Sequence, residues 1–409
     1  MRKRLWLPAI LISLTLATGP ATAQQPAPLT QPQAQAMVGS PGGVEQFVWS
    51  LFVQATRPAG SVLMFETWAE QCQLNPQLLG CPSPTTAAAE RRLGHASALL
   101  AANRRKAGDA GVLEITPAGL VCDNPMVRGS LDGYPAPTNV APGATFCEQV
   151  FVNPSEQSFV MQNGLITLTG QQAYGSKNGN AVTFPWDAIE VKADWVPSTS
   201  YTETTFSCPD PAQKLYTQMY NGTCYALVGL HISSKALPDW VWATFEPASD
   251  ITNPNRCDPK LYSTCFDPWG TTSSAPYGKG PPVPQSAQLK QLMAGAGINA
   301  AFNNYYLTGA QWQFVDGSGK AIPLGSSFTE FNARVPPGQA SCITCHKYAY
   351  FDGKKPPPNR PEEHFGSAPN GWQNIGYACT NGNPSGNWTP VVANSTSQDF
   401  SWMLGLMPF

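Results

Sequence analysis

Apolar residues recur at helical spacing over residues 44–56. There Phe47, Val48, Leu51 and Phe52 share one side of a helix that must stop before Pro58. A second helix is predicted from Thr86, a capping residue, to about Lys106, because its Ala and Leu favour that state. Its Arg104, Arg105 and Lys106 suit the negative end of the dipole. From about Cys147 the period shortens to that of strands. Residues 159–162 and 165–168 flank Asn163-Gly164, a strong hairpin signal. Residues 188–195 alternate apolar with polar, as a half-buried strand does, while 225–232 are apolar on both sides and predict a central strand. Residues 240–245 predict another strand. Residues 247–284, dense in Pro, Gly, Asn and Ser, have the length of a covering or functional loop. Helix returns over 285–296, with Leu289, Leu292, Met293 and Ala296 on one face and Gly295 and Gly297 to end it. A last hairpin is predicted around Asp316-Gly317. No internal repeat is visible.

Composition narrows the class. Only 12 % of the residues are charged, while Gly and Pro number 36 and 40, which favours turns and irregular chain over a helical bundle. The 12 Trp, 13 Tyr and 18 Phe supply a core, so the chain is not disordered as a whole. Residues 1–23 read as a cleavable secretory peptide: Arg2, Lys3 and Arg4, then the apolar run 5–17, then Ala21-Thr22-Ala23 as the cleavage site. That run is short for a membrane-spanning helix, and no integral membrane segment is expected after cleavage. Losing three bases takes the formal charge from −2 to about −5, which repels nucleic acid and anionic lipid as partners. Residues 24–43, rich in Gln, Pro and Ala, predict a flexible leader.

The cysteines fall into two sets. Cys342-Ile343-Thr344-Cys345-His346 has the form of a c-type haem attachment motif. Two thiols at this spacing reach the two vinyl groups on one porphyrin edge, and the next residue falls beneath the iron. Zinc would need further Cys or His at ligand spacing, and none lies within about 15 residues. Nine of the 11 Cys remain, and an oxidising compartment makes disulfides their default state. Short-range pairing gives Cys72–Cys81, Cys122–Cys147, Cys208–Cys224 and Cys257–Cys265, with Cys379 left over.

The distal ligand would separate electron transfer from catalysis or gas sensing. Met407 precedes Pro408 and is the first candidate, with Met403 one helical turn earlier and the imidazole of His364 as alternatives. His231, on the predicted central strand, reads either as a hydrogen-bonded core histidine or as a ligand or general base over the distal face. Tyr348, Tyr350 and Phe351 would pack on the haem edge. His95 is assigned no role.

Cys342, Cys345 and His346 resemble the attachment site of c-type cytochromes. The stretch Leu230-His231 with Asp239-Trp240-Val241-Trp242-Ala243-Thr244-Phe245-Glu246 is similar to one in uncharacterised bacterial periplasmic proteins that end in a single haem motif. The resemblance implies one covalently attached haem c, with His346 as proximal iron ligand, and a periplasmic location. The chain departs from compact class I cytochromes, because Met407 lies two residues from the end and leaves no room for a following helix. The expected architecture is α+β. A β-rich domain with a few helices over residues 44–325 packs against a cytochrome c-like haem segment over 326–409, and the sheet forms one wall of the haem pocket. The expected role is single-electron transfer between periplasmic redox partner proteins. The alternatives are a haem-dependent oxidoreductase, peroxidase-like or with haem as electron outlet, and a small-gas sensor with an open distal site. No nucleophile elbow, phosphate loop or helical His/Glu metal motif is present.

Overall fold

The computed structural model describes residues 29–74, 122, 126–127, 145–201, 205–248, 266–273, 283–314, 322, 324–326, 328, 340–347, 349–351 and 396–405. The fold is α+β and rich in strand. Helices α1 (Gln31–Val38) and α2 (Gly43–Thr56) lead into short strands β1 (Pro58–Ala59), β2 (Val62–Leu63) and β3 (Ala69–Glu70), then one helical turn, α3 (Gln71–Leu74). Strands β4 (Met126–Val127) and β5 (Thr145–Val152) precede helices α4 (Pro154–Gln162) and α5 (Leu168–Lys177). Then come β6 (Ile189–Pro197), β7 (Thr217–Tyr220), β8 (Thr223–Ser234), β9 (Val241–Pro247), α6 (Ala287–Ala296) and β10 (Tyr305–Gln311). The chain closes with α7 (Cys342–Lys347), β11 (Tyr350–Phe351), β12 (Thr396–Ser397) and α8 (Trp402–Gly405).

One antiparallel sheet organises these elements in the order β10-β9-β8-β6-β5-β3, with β4 paired to β5 and β7 to β8. The apolar run over 225–232 does become a central strand. Because side chains alternate across a strand, the sheet has two distinct faces. Val191 and Ala193 of β6, Leu230 and Ile232 of β8, Val241, Ala243 and Phe245 of β9, and Leu307 of β10 pack against Val48 and Phe52 of α2 and Leu289 and Met293 of α6. Phe52 meets the rings of Trp49, Phe245 and Phe302 at 5.2, 4.5 and 5.4 Å between centroids.

The other face carries the intervening polar positions. Glu190 sits opposite Ser233, and Ser233 opposite Trp242; Lys192 sits opposite His231, and His231 opposite Thr244. A half-buried β6 was expected, and here the pattern misleads: every residue of β6 is buried except Lys192, which is intermediate. A second layer covers the polar face. In it Val160 of α4, Leu165 and Leu168 join Trp240, Trp242, Cys342, Ile343, Phe400, Met403 and Leu404 in a second cluster.

The expected hairpin at Asn163-Gly164 is a helix–turn–helix instead. Asn153 accepts from the Glu156 amide at 3.1 Å and Pro154 occupies the first turn, so 154–162 is helical; Thr167 caps α5 by accepting from Gly170 at 3.0 Å. Asn163 has φ −97° and only Gly164 is left-handed, whereas a two-residue hairpin of type I′ needs both. Asn221-Gly222 meets that need, with φ of 47° and 79°, and joins β7 to β8. The flexible leader is also corrected in part. Residues 31–38 are helical, with Gln33 accepting from the Thr30 amide at 2.8 Å and Ala34 and Val38 buried in the first core.

Two expected disulfides are present: Cys122–Cys147 and Cys208–Cys224, with Cα separations of 5.5 and 5.7 Å. Cys72 is disulfide-bonded as well. Cys81, Cys257, Cys265 and Cys379, the signal segment and the predicted helix over 86–106 lie outside the described residues. The last hairpin falls mostly outside them too, although the Ile322 amide donates to the Phe314 carbonyl at 3.1 Å. Among the described residues, no helix is long and apolar enough to cross a membrane.

Candidate functional site

The CxxCH motif forms α7, and the edge of the sheet organises its start. Gln311, the last residue of β10, accepts from the Ile343 amide at 3.0 Å and donates to the Ser341 hydroxyl at 3.0 Å and the Ile322 carbonyl at 2.6 Å. One side chain thus satisfies an amide of the first turn, which the helix itself leaves without a partner. Ahead of it, Leu324 bridges to Ser341, and the buried Cys342 thiol donates to the Leu324 carbonyl at 3.3 Å. Helical backbone over 342–347 sets Cys342 and Cys345 one turn apart on the same side.

His346 is fixed in one tautomer. Its Nδ1 lies 2.7 Å from the Phe400 carbonyl, which can only accept, so Nδ1 carries the proton and Nε2 holds the lone pair. Burial pushes the imidazole pKa down to about 3; the Phe400 carbonyl opposes this and the Lys192 charge adds to it. The ring is therefore neutral across the physiological range. It packs on the indole of Trp242 at 4.4 Å between centroids.

His231 comes to the same face of the sheet. Its Nδ1 lies 2.9 Å from the Thr244 hydroxyl, it stacks on Trp242 at 6.1 Å, and it is only 6 % exposed. Burial first, then His346 and Lys192, lower its pKa to about 3. The structure thus supplies the hydrogen-bond partner that a core histidine needs, and it also sets His231 and His346 against one indole. Met403 is buried in the cluster that contains Cys342. Met407, His364, His95 and Tyr348, like the side chains of Cys345, Tyr350 and Phe351, lie outside the described residues.

The turn after β12 completes the site. Asp399 and Phe400 both have positive φ, 53° and 68°, a conformation that non-glycine residues rarely adopt. Asp399 holds it in place by accepting from the Phe184 amide at 2.7 Å and from Lys235 Nζ at 2.6 Å. Lys347 Nζ lies 5.0 Å above the Phe400 ring. Gln311, Asp399 and Phe400 carry no signal of a site in their local sequence, because they act through contacts distant along the chain.

The donor chemistry fits a covalently held haem. A porphyrin supplies four equatorial nitrogens, so the protein needs to provide thiols and an axial nitrogen, and His346 presents a neutral imidazole with Nε2 free of its own proton. Among the described residues, no three His, Cys, Asp or Glu side chains converge as a metal-binding group. Compared with known proteins, the chain matches no family model, no curated protein and no solved structure.

Proposed function

We propose that this protein is an exported, periplasmic monohaem c-type protein that passes single electrons between partner proteins. Cys342 and Cys345 would hold the haem through thioether bonds, and His346 Nε2 would be the proximal ligand. The observation that carries this reading is the 2.7 Å contact from Nδ1 to the Phe400 carbonyl, which sets the tautomer a metal-bound histidine requires. The bound haem supplies an iron that accepts and returns one electron. The protein's own part is to hold the imidazole neutral and oriented through Trp242 and Phe400, in a partly buried environment. Mass spectrometry of the protein made with a haem-maturation system tests this. One haem mass should survive denaturation, and its absence would end the reading.

A second reading, a haem oxidoreductase or gas sensor, draws on His231, a buried imidazole on the same face as His346. The absorption spectrum of the haem-loaded protein distinguishes them. A low-spin ferric spectrum with a methionine–iron band favours transfer through Met407 or Met403. A high-spin spectrum that shifts with cyanide or carbon monoxide favours the second reading.

A further inference from the structure

The polar layer holds a group that electron transfer alone leaves unused. Glu156, in the first turn of α4, is fully buried, and among the described residues no amide, hydroxyl or ammonium donor reaches either of its carboxyl oxygens. It faces the carboxyl of Glu190 on β6, which is 8 % exposed and accepts a hydrogen bond from the Ser401 hydroxyl. With no donor reaching it, an ionised Glu156 would carry an uncompensated buried charge beside a second carboxyl, which favours a proton on the pair. Burial raises both above the usual carboxyl range. For Glu156, the neighbouring Glu190 and Asp399 raise it further; for Glu190, the neighbouring Glu156, the bond from Ser401 and the Lys192 charge oppose the rise, and Asp399 adds to it.

The charged surroundings are few. Asp399 is paired with Lys235 at 2.6 Å, and Lys192 with Glu148 at 3.2 Å. From β8, the residue opposite Glu190 is the neutral Ser233, and α5 contributes the neutral Gln171, bonded to Gln398.

The turn at 399–401 ties this pair to the motif. Its strained backbone directs the Phe400 carbonyl to His346 and, one residue on, the Ser401 hydroxyl to Glu190. A single peptide unit therefore separates the imidazole's hydrogen bond from that of the carboxyl pair. We propose that Glu156 and Glu190 form a proton-binding site coupled to the redox state of the haem. The pair takes up one proton from solvent, forming one O–H bond, as one electron arrives from a one-electron donor protein, and it releases that proton when the electron leaves. The sign follows from charge: an added electron favours the protonated pair. This rests on the haem reading of the motif.

The test is the reduction potential of the haem-loaded protein as a function of pH, read together with the redox-difference infrared spectrum. The potential should fall as pH rises, towards a tenfold change in the redox equilibrium per pH unit, about 59 mV for one electron. A carboxyl C=O band should appear on reduction and shift in heavy water. Glu156→Gln and, separately, Glu190→Gln should flatten the slope and remove the band. A flat wild-type potential, or a slope and band unchanged in both variants, overturns the coupling. If neither variant folds, the wild-type band and its isotope shift still decide it. Absence of haem overturns the coupling and the reading beneath it together, whereas a pH-independent potential in haem-loaded protein overturns the coupling alone.

Discussion

Towards α2 and α6 the sheet presents Val191, Leu230, Ile232, Ala243 and Phe245; towards the motif it presents Glu190, Lys192, His231, Ser233, Trp242 and Thr244. Apart from Lys192, which is intermediate, both sets are buried. The first gains stability simply by leaving water, on the order of 25 cal/mol per Å² of apolar surface. The second loses solvation and must recover it through specific partners: Thr244 for His231, Ser401 for Glu190, Lys235 for Asp399. A fold selected for stability alone has no need of such a layer, and the CxxCH helix packs on that side rather than the other. The two faces thus separate an apolar layer that holds the fold from a polar layer against which the CxxCH helix packs.

Four changes test whether the two faces of the sheet act separately. The largest effect is expected from Cys342→Ala combined with Cys345→Ala, which should abolish the covalent haem mass completely while near-ultraviolet circular dichroism still reports the apolar layer intact. Loss of that dichroism would mean that the two layers do not fold independently of haem attachment. Next, Phe52→Ala on the apolar face should cost about 3–5 kcal/mol in denaturant unfolding, with the haem spectrum of the surviving native fraction unchanged. An altered spectrum would show that the faces are mechanically coupled.

Glu66, at the rim of the apolar layer, gives a pH signature. Its Oε2 accepts from the Leu63 amide at 2.6 Å and Gln218 at 2.8 Å, yet burial outweighs these bonds and raises its pKa from 4.5 to about 7. A carboxyl raised on folding supports the fold fully below about pH 4.5 and ceases to do so as pH rises through about 7. Glu66→Gln should therefore restore up to about 3 kcal/mol above neutral pH, because a tenfold change in proton affinity between the unfolded and folded chain corresponds to about 1.4 kcal/mol. Unfolding curves of both forms at acid and neutral pH would expose a difference of the wrong sign. The smallest change is Gly222→Ala. The left-handed turn penalises any Cβ, so a loss of about 1 kcal/mol is expected, whereas an Asn163→Ala control should leave the β7–β8 pairing untouched.

Much of the apolar face was legible in the chain. Residues 44–56, 225–232, 240–245 and 285–296 announce their elements because burial against one uniform surface imposes a simple period. The polar positions of β6 were legible as alternation and misread as solvent-facing, because alternation says which residues differ in environment and not what covers them. Tyr305–Gln311 gave little warning, since Gly309 and Ala310 are poor strand formers and a bulge interrupts its register after Leu307. At the two Asn-Gly turns, capping by Asn153, Pro154 and Thr167 decided one, and cross-strand pairing decided the other.

The thiol spacing, the histidine that follows it and the elements over 44–56, 225–232 and 285–296 rest on patterns among neighbours along the chain, so the linear sequence determines them unaided. The tautomer of His346, the cap from Gln311 and the company kept by Glu156 depend on residues from 32 to more than 50 positions away. Only closure of the sheet and packing of the second layer brings those groups within hydrogen-bonding range, because a hydrogen bond is decided by tenths of an ångström that no local pattern encodes.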